Sequence, residues 1–188
     1  MGLKPGRTVR AVRKAWTRTA KRKVKSAYVR GVPDSKIRAF HMGGMNPKDA
    51  EMQYDLLAGM DCQTRDNAME SARVMANKVF EKRMLPNEYH LMVRVFPHQC
   101  LREHSMLSGA GADRLSSGMR KPFGRPVGRA IVTKKGQMIM SLYTFKKHDA
   151  AAKEGLYRAA RKLPGGCTTR VTDLTKKAKK KAVKEAKK

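Results

Sequence analysis

The sequence predicts an α+β fold, a sandwich of one mixed or antiparallel sheet with helices on one face, on three observations. Apolar residues recur at helical spacing in two segments, short runs elsewhere alternate in the manner of strands, and Gly/Pro clusters separate the two kinds of segment. The expected order is strand, strand, helix, strand, long loop, hairpin, helix and strand.

Arg30-Gly-Val-Pro-Asp34 is a turn signal, and Lys36-Ile-Arg-Ala-Phe-His41 after it alternates as a half-buried strand does. Gly43, Gly44 and Pro47 interrupt it, and a second short strand fits Tyr54 to Ala58. Thr64 or Asp66 can cap a helix running to about Met84, because Ala68, Ala72, Met75, Ala76, Val79 and Phe80 form one stripe. Pro86 and Asn87 end that unit, and His90 to Phe96 reads as a strand with Leu91, Val93 and Val95 on one face. Gly128 to Thr133 and Met138 to Thr144 read as a hairpin about Lys134-Lys135-Gly136-Gln137. A second helix, His148 to Lys162, carries Ala152, Leu156, Ala159, Ala160 and Leu163 on one stripe, and Cys167 to Asp173 supplies a last strand.

Charge divides the chain into three parts. The 188 residues hold 43 Lys+Arg against 15 Asp+Glu, a net charge of +28, which calls for a polyanionic partner. Residues 1–32 form a basic arm with eleven cations and no acid, and residues 176–188 form a lysine-rich tail with eight cations and one acid. Residues 33–175 form the expected globular domain, which at 40% hydrophobic composition for the whole chain can bury a modest core. The arm is expected to stay extended and to order on its partner. Cys62, Cys100 and Cys167 are odd in number and lack C-x-x-C spacing, which suggests neither a disulfide framework nor a cysteine zinc site. No run approaches 18 apolar residues, so no membrane partner is expected and a cytoplasmic location fits best.

The segment from Met106 to Gly128 is too rich in glycine to be a packed element. Gly109, Gly111, Gly118 and Gly124 permit positive φ and close approach of backbone to a ligand, while Arg114, Arg120, Lys121 and Arg125 supply counter-charge. Further candidates for RNA phosphate are Arg7, Arg10, Arg13, Lys14, Arg18, Arg22, Lys23 and Arg30 in the arm, Lys36, Arg38 and Arg102 in the body, and Lys134 and Lys135 at the turn. Nothing comparable points to catalysis. His98, Cys100 and His104 match no common zinc spacing, Gly109-Ala-Gly-Ala-Asp-Arg114 lacks the third glycine of a dinucleotide fingerprint, and no P-loop is present. No metal and no cofactor are expected. DNA is the nearest rival polyanion, but no zinc finger, basic zipper or convincing helix-turn-helix is found, and a long irregular loop suits folded RNA better.

Four strings carry a resemblance: Arg30-Gly-Val-Pro-Asp-Ser-Lys-Ile-Arg38, Ala110-Gly-Ala-Asp-Arg-Leu-Ser-Ser-Gly-Met-Arg120, Phe123-Gly-Arg-Pro-Val-Gly128 and Gly136-Gln-Met-Ile-Met-Ser141. The chain resembles, over roughly Tyr28 to Thr144, the archaeal and eukaryotic large-subunit ribosomal protein family L-ten-e, counterpart of bacterial L-sixteen. The resemblance implies a structural constituent of the large ribosomal subunit, not an enzyme. It also implies a seat on large-subunit rRNA near the central protuberance, proximity to A-site and P-site tRNA, and neighbouring ribosomal proteins as partners. The loop, here about Arg102 to Gly118, would reach toward the peptidyl transferase centre. The alternative is an RNA-modifying or RNA-processing enzyme with a basic docking surface.

Overall fold

The computed structural model describes residues 5–12, 31–103 and 124–175, which form an α+β structure with two antiparallel sheets. The elements are α1 (Arg7–Arg10), β1 (His41–Met42), β2 (Met52–Ala58), β3 (Cys62–Arg65), α2 (Asp66–Arg83), β4 (Tyr89–Val93), β5 (Gln99–Glu103), β6 (Arg125–Thr133), β7 (Met138–Thr144), α3 (Asp149–Ala160) and β8 (Cys167–Asp173). Five strands make one sheet in the order β1-β4-β7-β2-β8, and three make the other in the order β3-β6-β5. The expected single sheet is therefore two.

The same division overturns the hairpin. Both edges of β6 are taken by β3 and β5, and both edges of β7 by β4 and β2, so β6 and β7 have no free edge for each other. The turn itself exists, with Gly136 at φ 79° and the Gln137 N–H donating to the Lys134 carbonyl at 3.0 Å. Its work is different. Gly136 N–H donates to the Ala58 carbonyl at 2.8 Å, Ala58 N–H to the Gln137 carbonyl at 2.9 Å, and Lys135 N–H to Asp61 Oδ1 at 2.7 Å. These bonds tie the β6–β7 connection to the β2–β3 connection, so an antiparallel ribbon passes from one sheet into the other.

Helix α2 begins after the extended Arg65, and no side chain caps it; Thr64 belongs to β3 and Asp66 to the first turn. Its buried side is Asp66, Met69, Ala72, Ala76, Val79 and Phe80, which puts Met69 where Ala68 was expected and leaves Met75 half-buried. Helix α3 buries Ala151, Ala152, Gly155, Leu156 and Ala159 and packs along α2. Tyr54, Leu56, Leu91, Met140 and Leu142 of the large sheet join these helix residues in the core.

Two readings of the N-terminal third need correction. The run Lys36 to His41 forms a strand only at His41–Met42. Upstream, Lys36 N–H donates to Asp66 Oδ2 at 3.1 Å and Arg38 N–H to Glu70 Oε2 at 3.3 Å, so the backbone bonds helix side chains in place of a neighbouring strand. Ile37 is buried between them, which accounts for the alternation. Arg7–Arg10 is one helical turn packed against β3 in place of extended chain. The Pro5 carbonyl accepts from both the N–H (3.2 Å) and the hydroxyl (2.8 Å) of Thr8, and a proline costs nothing at a helix start. The strand expected to reach Phe96 stops at Val93, and a strand not foreseen runs from Gln99 to Glu103.

One polar contact locks α3 to the sheet. The fully buried Tyr54 donates its hydroxyl to Asp149 Oδ1 at 2.8 Å, and Lys153 Nζ donates to Asp149 Oδ2 at 2.7 Å. Burial first, and then this bond, push the Tyr54 phenol well above its ordinary pKa. The Lys153 bond, followed by the Tyr54 bond, holds the Asp149 carboxyl below its own. Tyr54→Phe is expected to lower stability by about 1 kcal/mol, because water can reach the half-exposed Asp149. Asp149 has its pKa depressed on folding, so its contribution is complete above the pKa of a free aspartate and is lost as pH falls through the lower folded value. Urea melts of both proteins at neutral and acid pH check this, and the difference between them should shrink in acid.

Candidate nucleic-acid interface

The small sheet frames the loop that the sequence singles out. β5 and β6 are antiparallel neighbours with Glu103 opposite Arg125, so the chain leaves the sheet after Glu103 and returns to it beside the point of departure. Gly124, at the return, has φ 102°, a conformation that side-chain-bearing residues rarely adopt. The loop was expected to start at about Arg102. That boundary moves, because Arg102 and Glu103 are still paired in β5.

Arg102 is also buried, at 4% exposure, facing Pro126 in the register. Arg102 and the half-buried Arg129 both lie close enough to Cys100 to favour the charged form of its thiol. Burial outweighs them and pushes that thiol's pKa up, so Cys100 is a poor nucleophile. His98 is engaged locally, with Nδ1 3.1 Å from the Phe96 carbonyl oxygen. Cys62, Cys100 and Cys167 all remain free thiols. Among the described residues no group of three His, Cys, Asp or Glu is arranged to hold a metal ion.

The remaining described candidates are exposed. Arg7 and Arg10 lie on α1 against β3, and Gly6 packs near the Arg65 guanidinium of that strand, with Nη2 3.8 Å from the position of an added Cβ. Arg125 opens β6. Lys36 and Arg38 spend only their backbone N–H groups on α2, and Lys134 and Lys135 spend only theirs on Gln137 Oε1 (3.0 Å) and Asp61. Their side chains stay outward, although Arg38 lies near enough to Glu70 to help hold that carboxyl below its usual pKa, after the stronger effect of Arg73. The structure thus gathers Arg7, Arg10 and Arg65 at one edge of the small sheet and Arg125 at the base of the loop, with Lys134 and Lys135 at the crossing between sheets.

Arg13, Lys14, Arg18, Arg22, Lys23, Arg30, Arg114, Arg120, Lys121, Gly109, Gly111 and Gly118 lie outside the described residues, as does the tail from residue 176. Sequence reasoning missed Arg129, whose Nε donates to the Pro33 carbonyl at 2.7 Å and so holds the entry to the domain against β6. No sequence signal marks it, since only the register brings residue 129 to Pro33. Among the described residues no helix is long and apolar enough to cross a membrane.

A small α+β body with a large surplus of cations, and a glycine-rich connection rooted between two paired strands, defines a basic protein complementary to a polyanion. The chain belongs to the ribosomal protein L16p/L10e family, whose model matches residues 16–170. It is 44% identical over 164 residues to the large ribosomal subunit protein uL16 of Archaeoglobus fulgidus, a match covering 87% of this chain and 90% of that one. The uL16 of Staphylothermus marinus is 44% identical across 73% of this chain and 78% of its own length. That of Methanococcus maripaludis is 40% identical across 92% and 95%. Membership of this family makes the protein a ribosomal component and not an enzyme.

Proposed function

We propose that the protein is a structural constituent of the large ribosomal subunit, bound to rRNA through its cationic surface and to neighbouring ribosomal proteins. The observation that carries this is a net charge of +28 on a chain matched to the ribosomal family over residues 16–170. Its finer form is an α+β sandwich seated near the central protuberance and the A-site tRNA, with P-site tRNA close by. The connection between β5 and β6 extends toward the peptidyl transferase centre, where the RNA performs the chemistry. In this reading the arm, Lys36, Arg38, Arg125, Lys134, Lys135, Arg114, Arg120 and Lys121 neutralise phosphates, and the loop glycines bring backbone N–H groups close to RNA.

Rooting the loop on two paired strands supports that role, because a positioning device needs a rigid base. The enzymatic alternative finds no support at Cys100, whose thiol is buried with a raised pKa. Sedimentation of a cell lysate at moderate salt should place the protein with the large subunit and release it only as salt rises. Recovery mainly as free protein at moderate salt would refute the proposal.

A further inference from the structure

One face of the five-stranded sheet is lined by core residues, and the other carries a different chemistry. The register aligns Leu91, Leu142 and Tyr54 toward the helices. The next row, His90, Tyr143, Gln53 and Thr172, points to the opposite face, as does the row of His41, Met92, Ser141, Asp55 and Arg170 beside it. None of these side chains was singled out by spacing along the chain.

The polar face is held in place from below. Asp55 is buried and accepts from Ser141 Oγ at 2.5 Å and from Gln53 Nε2 at 2.8 and 2.9 Å. Ser141 Oγ accepts from Arg94 Nε at 2.7 Å, and the Tyr143 hydroxyl accepts from Arg94 Nη2 at 2.5 Å. Arg94 is exposed, and no partner for its Nη1 is found among the described residues. Three rings sit beside this network: His41 and His90 with centroids 5.4 Å apart, and His90 and Tyr143 with centroids 6.3 Å apart. Each is half-buried or exposed.

Building on the rRNA reading above, we propose that this face is a stacking platform for unpaired rRNA nucleotides, with His90 and Tyr143 as the stacking rings and Arg94 as the adjoining donor. The charge balance selects RNA over a protein occupant. Among these two rows and the adjoining Arg94, the exposed charges are Arg94 and Arg170, while Asp55 is buried and occupied by Ser141 and Gln53. Fixed rings cost little conformational entropy when a base lies on them, and an anchored guanidinium presents its remaining N–H groups to a phosphate or base edge. Every base has a π face, so the platform tolerates any sequence.

The test uses the full-length protein and a short unstructured oligouridylate. Tyr143→Leu is expected to weaken binding about tenfold while leaving the slope of log K against log salt unchanged, because stacking releases no counterion. Tyr143→Phe, which keeps the ring, should bind within about threefold of wild type. Equal affinity of Tyr143→Leu and wild type would overturn the platform alone. Failure of wild type to bind RNA at all would overturn the rRNA reading, and the platform with it. Should Tyr143→Leu not fold, cross-linking of the wild-type protein to 4-thiouridine-labelled RNA in the assembled subunit decides the matter. Adducts on His90, Tyr143 or His41 support the platform, whereas adducts elsewhere only, or cross-links from these residues to a neighbouring protein, overturn it.

Discussion

Gly155→Ala is expected to lower stability by about 1–3 kcal/mol, although alanine favours a helix interior over glycine by roughly 0.5–1 kcal/mol. The sign is set by Phe80. A Cβ on Gly155 would lie 2.2 Å from Cε1 and 2.6 Å from Cζ of that ring, distances at which something must move. Phe80 has no exposure and packs against the Tyr89 ring at 5.7 Å, so it has nowhere to go without parting α2 from α3. Interiors packed this densely resist added volume. Circular dichroism should show the melting temperature down by about 3–10 °C, and an unchanged or higher value would refute the account. Phe80→Leu in the Gly155→Ala background should recover part of the loss, because the two side chains contend for one volume.

Gly155 also shows how far the sequence could be read. The stripes of α2 and α3 are visible from helical spacing, and β2, β4, β7 and β8 lie close to the strands expected over Tyr54 to Ala58, His90 to Phe96, Met138 to Thr144 and Cys167 to Asp173. What one helix offers the other at residue 155 depends on their docking, which no local pattern encodes. The hairpin failed for a related reason. Turn chemistry at Lys134 to Gln137 is local and real, but the choice of partner for β6 and β7 is made by β3, β5, β2 and β4, distant in the chain. Gln99-Cys-Leu-Arg-Glu103 escaped notice because it has no alternation: Cys100, Leu101 and Arg102 are all buried. For the candidate interface, composition exposed the surplus of cations and the string from Ala110 to Arg120 exposed the family. Neither could tell an outward arginine such as Arg125 from an inward one such as Arg102, nor place His90 beside Tyr143, since both distinctions arise only when strands find their register.

That distinction between inward and outward cations gives the second large effect. Replacing Lys36, Arg38, Arg125, Lys134 and Lys135 together by alanine is expected to weaken binding to rRNA on the order of 10³-fold near physiological salt. If each cation neutralises one phosphate, the slope of log K against log salt should flatten by about 0.7–0.9 per residue removed. Folding should hardly notice, since all five side chains are exposed and the hydrogen bonds of Lys36, Arg38, Lys134 and Lys135 come from backbone N–H groups that alanine retains. Arg102→Ala should do the reverse. Arg102 is buried, so truncation is expected to cost about 1–3 kcal/mol of stability and to leave the salt slope of the surviving folded protein unchanged. Titration of purified rRNA at several salt concentrations, beside thermal melts of each variant, separates the two outcomes. An unchanged slope in the fivefold variant would show that these cations face solvent in the particle, and the burden of binding would pass to the arm, the loop and the tail.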